Sequence, residues 1–295
     1  MKDYLLGFME YCDYPSEARA VLSNTLELLY GDSVSADIIS GIISEYGKSA
    51  DMDYSLLFDG AEKIAQRIGI SRYTVELLAF ILLTRELRRR YFERGFSEDT
   101  YCGAVLDLKW KLLECYGVKG VWGTFVGEWL CGWFRVARFT FGRLQYEISP
   151  IGREYVGQGV SLKPEDEVVF VHIPRTLEPL LPEAVDRSLL MAKEFFADKF
   201  KGGRVVFCCS SWMLYPENRD FLSPKSNTAK FAARFEIIAS RADSDGTYPN
   251  AWRVFNQEFL GDTSVIVPTT RIAADLLSHY ARGGKMGTGF GVLVT

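Results

Sequence analysis

The string GRLQYE places Arg143, Gln145 and Glu147 two residues apart, so on a strand a cation, an amide and a carboxylate share one face. Such a row can hold an anion, or orient an amine while Glu147 removes its proton. An exposed sheet face shows the same alternation, so the row is a candidate and not yet a site. A second group lies further along. His172 closes the β-rich run EVVFVHI (167–173), and Cys208, Cys209, Ser210, Ser211 and Trp212 close the run RVVFCCS and follow it. An imidazole, two thiols and two hydroxyls would meet if both runs are neighbouring strands. The alternative is a satisfied histidine beside core cysteines.

The elements needed for that meeting are present. The runs 167–173 and 204–210 flank an amphipathic helix that opens at Pro182 and ends near Phe200. If the strands are parallel, the crossover is right-handed and both carboxyl ends lie on one sheet edge, where α/β sheets bind ligands. Val206, Cys208 and Ser210 then face one side, with Val205, Phe207 and Cys209 on the other. A Cys–His nucleophilic pair is one possible use, and inert buried thiols are the other.

Phosphate-binding signatures are missing. There is no GxxxxGK[ST], and no GxGxxG opens a helix. GKMGTGFG (284–291) is followed only by VLVT, so its glycines suit a tight turn or close backbone packing. PKSNTAKF is the one segment offering amides to an anion: Ser226 or Asn227 can cap a helix, with Lys225 and Lys230 beside it.

Residues 1–132 read as helices: Ser16 to Tyr30, 34–46, 53–67, Ser71 to about Phe92, 98–116 and 121–132. Within them, IAQRIGISRYTVEL (64–77) has the outline of a helix-turn-helix, with Gly69 in the turn and Ser71 as cap. Its second helix continues as LLAFILL, which suits a packed hairpin and not a polar recognition face. The pattern changes at Trp133. From there alternation predicts one long bent strand or a strand pair to about 148, followed by mixed strands and helices. The expected fold class is α+β, with an all-helical domain (1–132) followed by a mixed α/β sandwich domain (133–295).

Composition sets the outer limits. The chain has 295 residues, 34 basic and 38 acidic side chains, a net charge of −4, and 41 aromatics. That is too aromatic for disorder and too acidic for a generally basic nucleic-acid binder. The charge is uneven: residues 1–60 carry −8, residues 61–148 carry +4, and the remainder is neutral. Six cysteines without a CxxC, and only two histidines, fit reduced thiols and no zinc site. The start carries Asp3, Glu10 and Asp13, unlike a signal peptide, and the longest purely apolar run, seven residues, falls short of the ~20 that span a bilayer. The expected location is the cytoplasm, with neither membrane nor nucleic acid as partner.

Several of these pieces, taken in order, resemble a bacterial acyltransferase family. They are GISRYTVELL, GRLQYE (142–147), VHIP (171–174), SSW (210–212), PKSN with Phe231 and Arg234, and GTGFG. That family pairs a helical N-acyltransferase N-terminal domain with a GNAT-like C-terminal domain. The resemblance implies direct acyl transfer from acyl-CoA, foremost acetyl-CoA, to a small amine, with no metal. It implies His172 or Glu147 as general base and Ser211 or backbone amides on the thioester carbonyl. Arg143, Gln145 and Trp212 would hold substrate, and Ser210, Lys225, Ser226, Asn227 and Lys230 the coenzyme. The sequence departs from ordinary GNAT enzymes in lacking their Q/R-x-x-G-x-G/A pyrophosphate loop. GREYVGQG (152–159) has the wrong spacing and leads into SLKP. A catalytically silent binding module of the same fold is the competing expectation.

Overall fold

The periodic segments near the start form α1 (Lys2–Tyr11), α2 (Ser16–Gly31), α3 (Ser33–Lys48), α4 (Ser55–Ile68), α5 (Arg72–Glu93), α6 (Glu98–Lys119) and α7 (Gly127–Phe134). The structure is a computed structural model describing residues 1–176 and 178–295. Its chain divides into two compact units, Met1–Phe139 and Thr140–Thr295. No described helix is long and apolar enough to cross a membrane.

In the first unit, α4 stops where Gly69 takes a left-handed φ of 70°, open to glycine without steric cost. Ser71 then caps α5 by accepting from the Tyr73 N–H. Every residue from Val75 to Leu83 is buried, so α5 is the apolar centre of the unit. Val75, Leu77 and Leu78 have no exposed surface, and residues 64–77 are a packed helical hairpin without a groove-reading face. Ring contacts extend this core, with Phe80 and Phe134 centroids 4.9 Å apart and the Tyr46 hydroxyl donating to the Phe134 carbonyl at 2.8 Å.

The second unit is built on a sheet. Its elements are β1 (Arg138–Phe141), β2 (Leu144–Pro150), β3 (Tyr155–Gly157), β4 (Val160–Leu162), β5 (Glu167–His172), α8 (Pro182–Phe196), β6 (Val206–Ser211), α9 (Asn227–Ala232), β7 (Glu236–Ala242), α10 (Ala251–Phe255), α11 (Arg271–Ala281) and β8 (Gly287–Val294). The strand order is β1-β2-β5-β6-β8-β7, with β3 and β4 as a separate hairpin. Only β5 and β6 pair in parallel in the ladders around them, and α8 supplies the crossover between the two strands.

Three sequence expectations change here. Trp133 and Phe134 end α7, so strand structure starts at Arg138, and Gly142 (φ 58°) turns the chain between β1 and β2. Alternation at 133–137 misled because a short helix and a turn can show the same local pattern. The glycines of GTGFG lie inside β8. A Cβ at Gly289 would come 2.1 Å from the Leu214 carbonyl oxygen, so the backbone packs where no side chain fits. Segments 1–11, 155–162 and 251–255, to which the sequence assigned no individual element, form α1, the β3–β4 hairpin and α10.

Candidate active site

Strand register decides which polar residues meet. Glu147 pairs with Phe170, and Gln145 with His172, across β2 and β5. Phe170 pairs in turn with Cys208 on β6, and Ser210 with Phe290 on β8. Gln145, Glu147, Phe170, His172, Cys208, Ser210 and Phe290 therefore share one face of the sheet. The opposite face is closed by α8, where the Tyr146 hydroxyl meets Ser188 Oγ at 2.7 Å.

Within the shared face, His172 Nε2 lies 2.8 Å from Glu147 Oε1, and each side chain is 23% exposed. The pair is diagonal across neighbouring strands, a separation long side chains can bridge. A carboxylate at this distance holds the imidazole in one orientation. Half-burial keeps the ring reachable by a ligand while shielding its partner from bulk water.

This pair stands where the sheet opens. The β5–β6 ladder joins Val169 to Phe207 and Phe170 to Cys208. Beyond that point β5 continues its pairing with β2 through Val171 and His172, while β6 continues with β8 through Ser210 and Ser211. Two parallel strands thus stay paired on their outer sides as their mutual ladder stops, and their carboxyl ends lie at one sheet edge.

The remaining sequence candidates are redistributed. Arg143 belongs to the turn before β2, not to the strand face. It is 8% exposed and its Nη1 donates to the Pro174 carbonyl at 2.9 Å, which braces the chain leaving β5. Burial lowers its pKa, offset in part by Glu178. Trp212, expected to hold substrate, is 7% exposed in an apolar cluster with Phe255, Phe259, Ile266, Leu276 and Met286. Its indole is core because the chain turns inward immediately after β6. Ser211 points to the face opposite His172 and its Oγ accepts from the Met213 N–H at 3.2 Å, so it caps a turn. Ser210 is exposed on the His172 face.

The thiols are packing groups. Cys208 and Cys209 are fully buried, and burial pushes the Cys208 thiol up to about 12 and raises Cys209 as well. Neither is a thiolate near neutral pH, which removes the Cys–His nucleophile. Ser226 caps α9 by accepting from the Ala229 N–H at 3.1 Å, and Asn227 is its first residue; Lys225 and Lys230 are exposed beside it. The crossover helix α8 opens on Leu181, Pro182 and Glu183. Proline removes one N–H and the glutamate adds negative charge, so this helix start suits an anion less well than the usual pyrophosphate loop. Among the described residues no group of three or more metal-binding side chains assembles.

Two family descriptions match the chain: an N-acyltransferase N-terminal domain over residues 3–136 and a GNAT-like C-terminal domain over 139–293. The chain belongs to this acyltransferase family. No curated protein sequence matches it. Among solved structures, an acyltransferase in complex with decanoyl-CoA and teicoplanin is 18% identical, with a TM-score of 0.70 over 97% of this chain and 86% of that one. An acyltransferase in complex with decanoyl-CoA is 17% identical, with a TM-score of 0.73 over 97% of this chain and 85% of that one. A mutant acyltransferase in complex with octanoyl-CoA is 17% identical, with a TM-score of 0.73 over 99% of this chain and 87% of that one. At these identities the likeness is one of fold. The acyltransferase thus combines a family-defining pair of domains with a His–Glu pair at the open edge of its sheet.

Proposed function

We propose that this acyltransferase moves a medium-chain acyl group from acyl-CoA to an amine by direct transfer, with His172 as general base and Glu147 as the group that orients it. The observation that carries the reading is the 2.8 Å His172–Glu147 contact beside the parting of β5 and β6. A neutral imidazole held by a carboxylate can accept the proton that the attacking amine must lose. The amine nitrogen bonds to the thioester carbon, the C–S bond breaks, and coenzyme A leaves as the thiol or thiolate. The proton from nitrogen passes to His172. In this reading backbone N–H groups at the strand ends stabilise the carbonyl oxygen as charge develops there.

The donor and acceptor are drawn from the structural relatives. Their ligands are decanoyl-CoA and octanoyl-CoA, which favours a donor longer than acetyl. One of them holds teicoplanin, so the acceptor amine belongs here on a larger molecule as readily as on a small one. Ser210, exposed on the His172 face, is a proposed contact for the donor. Lys225, Ser226, Asn227 and Lys230 remain the proposed contacts for the coenzyme's phosphates, and Gln145 a proposed acceptor contact.

The test is a binding and turnover series with acetyl-, octanoyl- and decanoyl-CoA. Each donor is titrated by calorimetry, and thiol release is followed with amine acceptors that include the teicoplanin core. Tighter binding of the longer donors, with acceptor-dependent thiol release, is expected. Absence of binding to all three overturns the reading.

A further inference from the structure

Arg153 is a cation without an ion-pair partner among the described residues. Its guanidinium carbon lies 4.1 Å from the centroid of the Phe290 ring, and its Nε is buried without a hydrogen-bond partner. No carboxylate among the described residues forms an ion pair with it. The charge also reaches Cys208, whose thiol it partly counteracts in its upward shift. Burying an N–H without a partner is costly, and more so on a charged group, so an unfilled donor here calls for an acceptor.

The placement of this cation is built and not incidental. Gly152, at φ 72°, swings the chain back over the sheet, and the Ile151 and Gly152 N–H groups donate to the Asp166 and Pro164 carbonyls, each at 2.9 Å. The β3–β4 hairpin that follows is clamped at the far side: Tyr155 Oη donates to Glu236 at 2.7 Å, and Gln158 bonds Glu236 and the Val292 carbonyl. Hairpin residues Tyr155, Val160 and Leu162 cover Val168, Val206 and Val292, which leaves Arg153 over Phe290, towards the carboxyl ends of β5 and β6. Phe290 is in register with Ser210 and meets Phe170 edge-on at 6.0 Å. Its backbone is two strands from His172, about 10 Å at the usual strand spacing. The nearby carboxylate on this face, Glu147, is engaged by His172.

We propose that Arg153 binds an oxyanion carried by one of the two substrates, either a carboxylate on the acceptor or a phosphate of the coenzyme. The inference deepens the acyl-transfer reading and rests on it for the identity of the substrates. A guanidinium stacked on an aromatic ring is held in one plane, so its donors form a fixed fork that suits such an oxyanion. The surrounding phenylalanines lower the local dielectric and strengthen the contact.

The test uses the full chain labelled with nitrogen-15. The buried Nε–H of Arg153 is identified as the resonance lost in R153K, then followed while acetate and inorganic phosphate are added. A saturable millimolar shift is expected with at least one anion. No shift with either anion overturns the proposal, and this readout requires no acyl transfer, so it fails separately from the reading of His172. Calorimetry with R153M then identifies the source. A fall of roughly ten- to hundredfold in affinity for coenzyme A, largely restored in R153K, supports the phosphate. Unchanged coenzyme A affinity with loss of acetate binding supports an acceptor carboxylate. Wild-type affinity of R153M for acetate, phosphate and coenzyme A overturns both.

Discussion

Two carboxylates, one in each unit, show how the same chemical group is sealed into the core in one place and left reachable at a sheet edge in another. Asp107 in α6 is fully buried, and its Oδ2 accepts from the indole N–H groups of Trp129 at 2.8 Å and Trp133 at 2.9 Å. Both donors are rigid, and both belong to or flank α7, so the aspartate ties that helix to α6. Glu147 meets an imidazole at a similar distance, yet both partners remain 23% exposed at a sheet edge where a ladder ends. The difference lies in the partner and the access. An indole can only donate, whereas an imidazole can exchange a proton with whatever enters the crevice.

The sharpest way to break this comparison is to remove the imidazole. His172→Ala is expected to lower kcat/KM for acyl transfer by about 10²- to 10⁴-fold with little change in melting temperature. Glu147→Gln is expected to cost less and to shift the pH–rate profile, since it acts through the ring; steady-state kinetics across pH checks both. An activity-neutral His172→Ala would place Glu147 on the same structural footing as Asp107.

The reverse substitution tests the other half. Asp107→Ala removes the acceptor of the buried Trp133 indole N–H and of the part-buried Trp129 one and is expected to destabilise the protein by roughly 3 kcal/mol. Transfer per folded molecule should be unchanged. Denaturant melts paired with initial rates separate the two effects.

A smaller effect concerns a second buried acid of the helical unit. Glu76 is 3% exposed, and desolvation holds its carboxyl up at about 7, with Arg72 opposing and Glu62 and Glu128 reinforcing the shift. A carboxyl whose folded pKa lies above its ordinary value binds its proton more tightly in the folded state. Stability is therefore expected to fall as pH rises from about 4.5 to about 7, by on the order of 3 kcal/mol in total. Glu76→Gln should flatten that slope in thermal melts between pH 5 and pH 8. An unchanged slope would mean that Arg72, 3.3 Å away, keeps Glu76 charged.

Much of the architecture was legible in the sequence. The all-round apolar run VELLAFILL announced a buried helix, and α5 is one. The βαβ spacing from 167 to 210 allowed a parallel pair, which β5 and β6 form. Alternation in GRLQYE correctly put Gln145 and Glu147 on one face, because side chains on a strand alternate whatever surrounds them. Arg143 escaped that rule because Gly142 turns the chain just before it. Arg153 escaped notice because a lone arginine in an irregular segment gives no periodic signal.

What the sequence determined by itself was therefore local: helix against strand, which residues alternate, and that His172 ends a strand beside a crossover. What only the tertiary structure decided was company. Register across three strands brought Glu147 to His172 and sent Ser211 to the other face. Enclosure turned Cys208, Cys209 and Trp212 into core, and a hairpin folding back carried Arg153 over Phe290. Periodicity comes from backbone geometry within a few residues. Partners and burial come from contacts between residues tens of positions apart, and no local pattern encodes them.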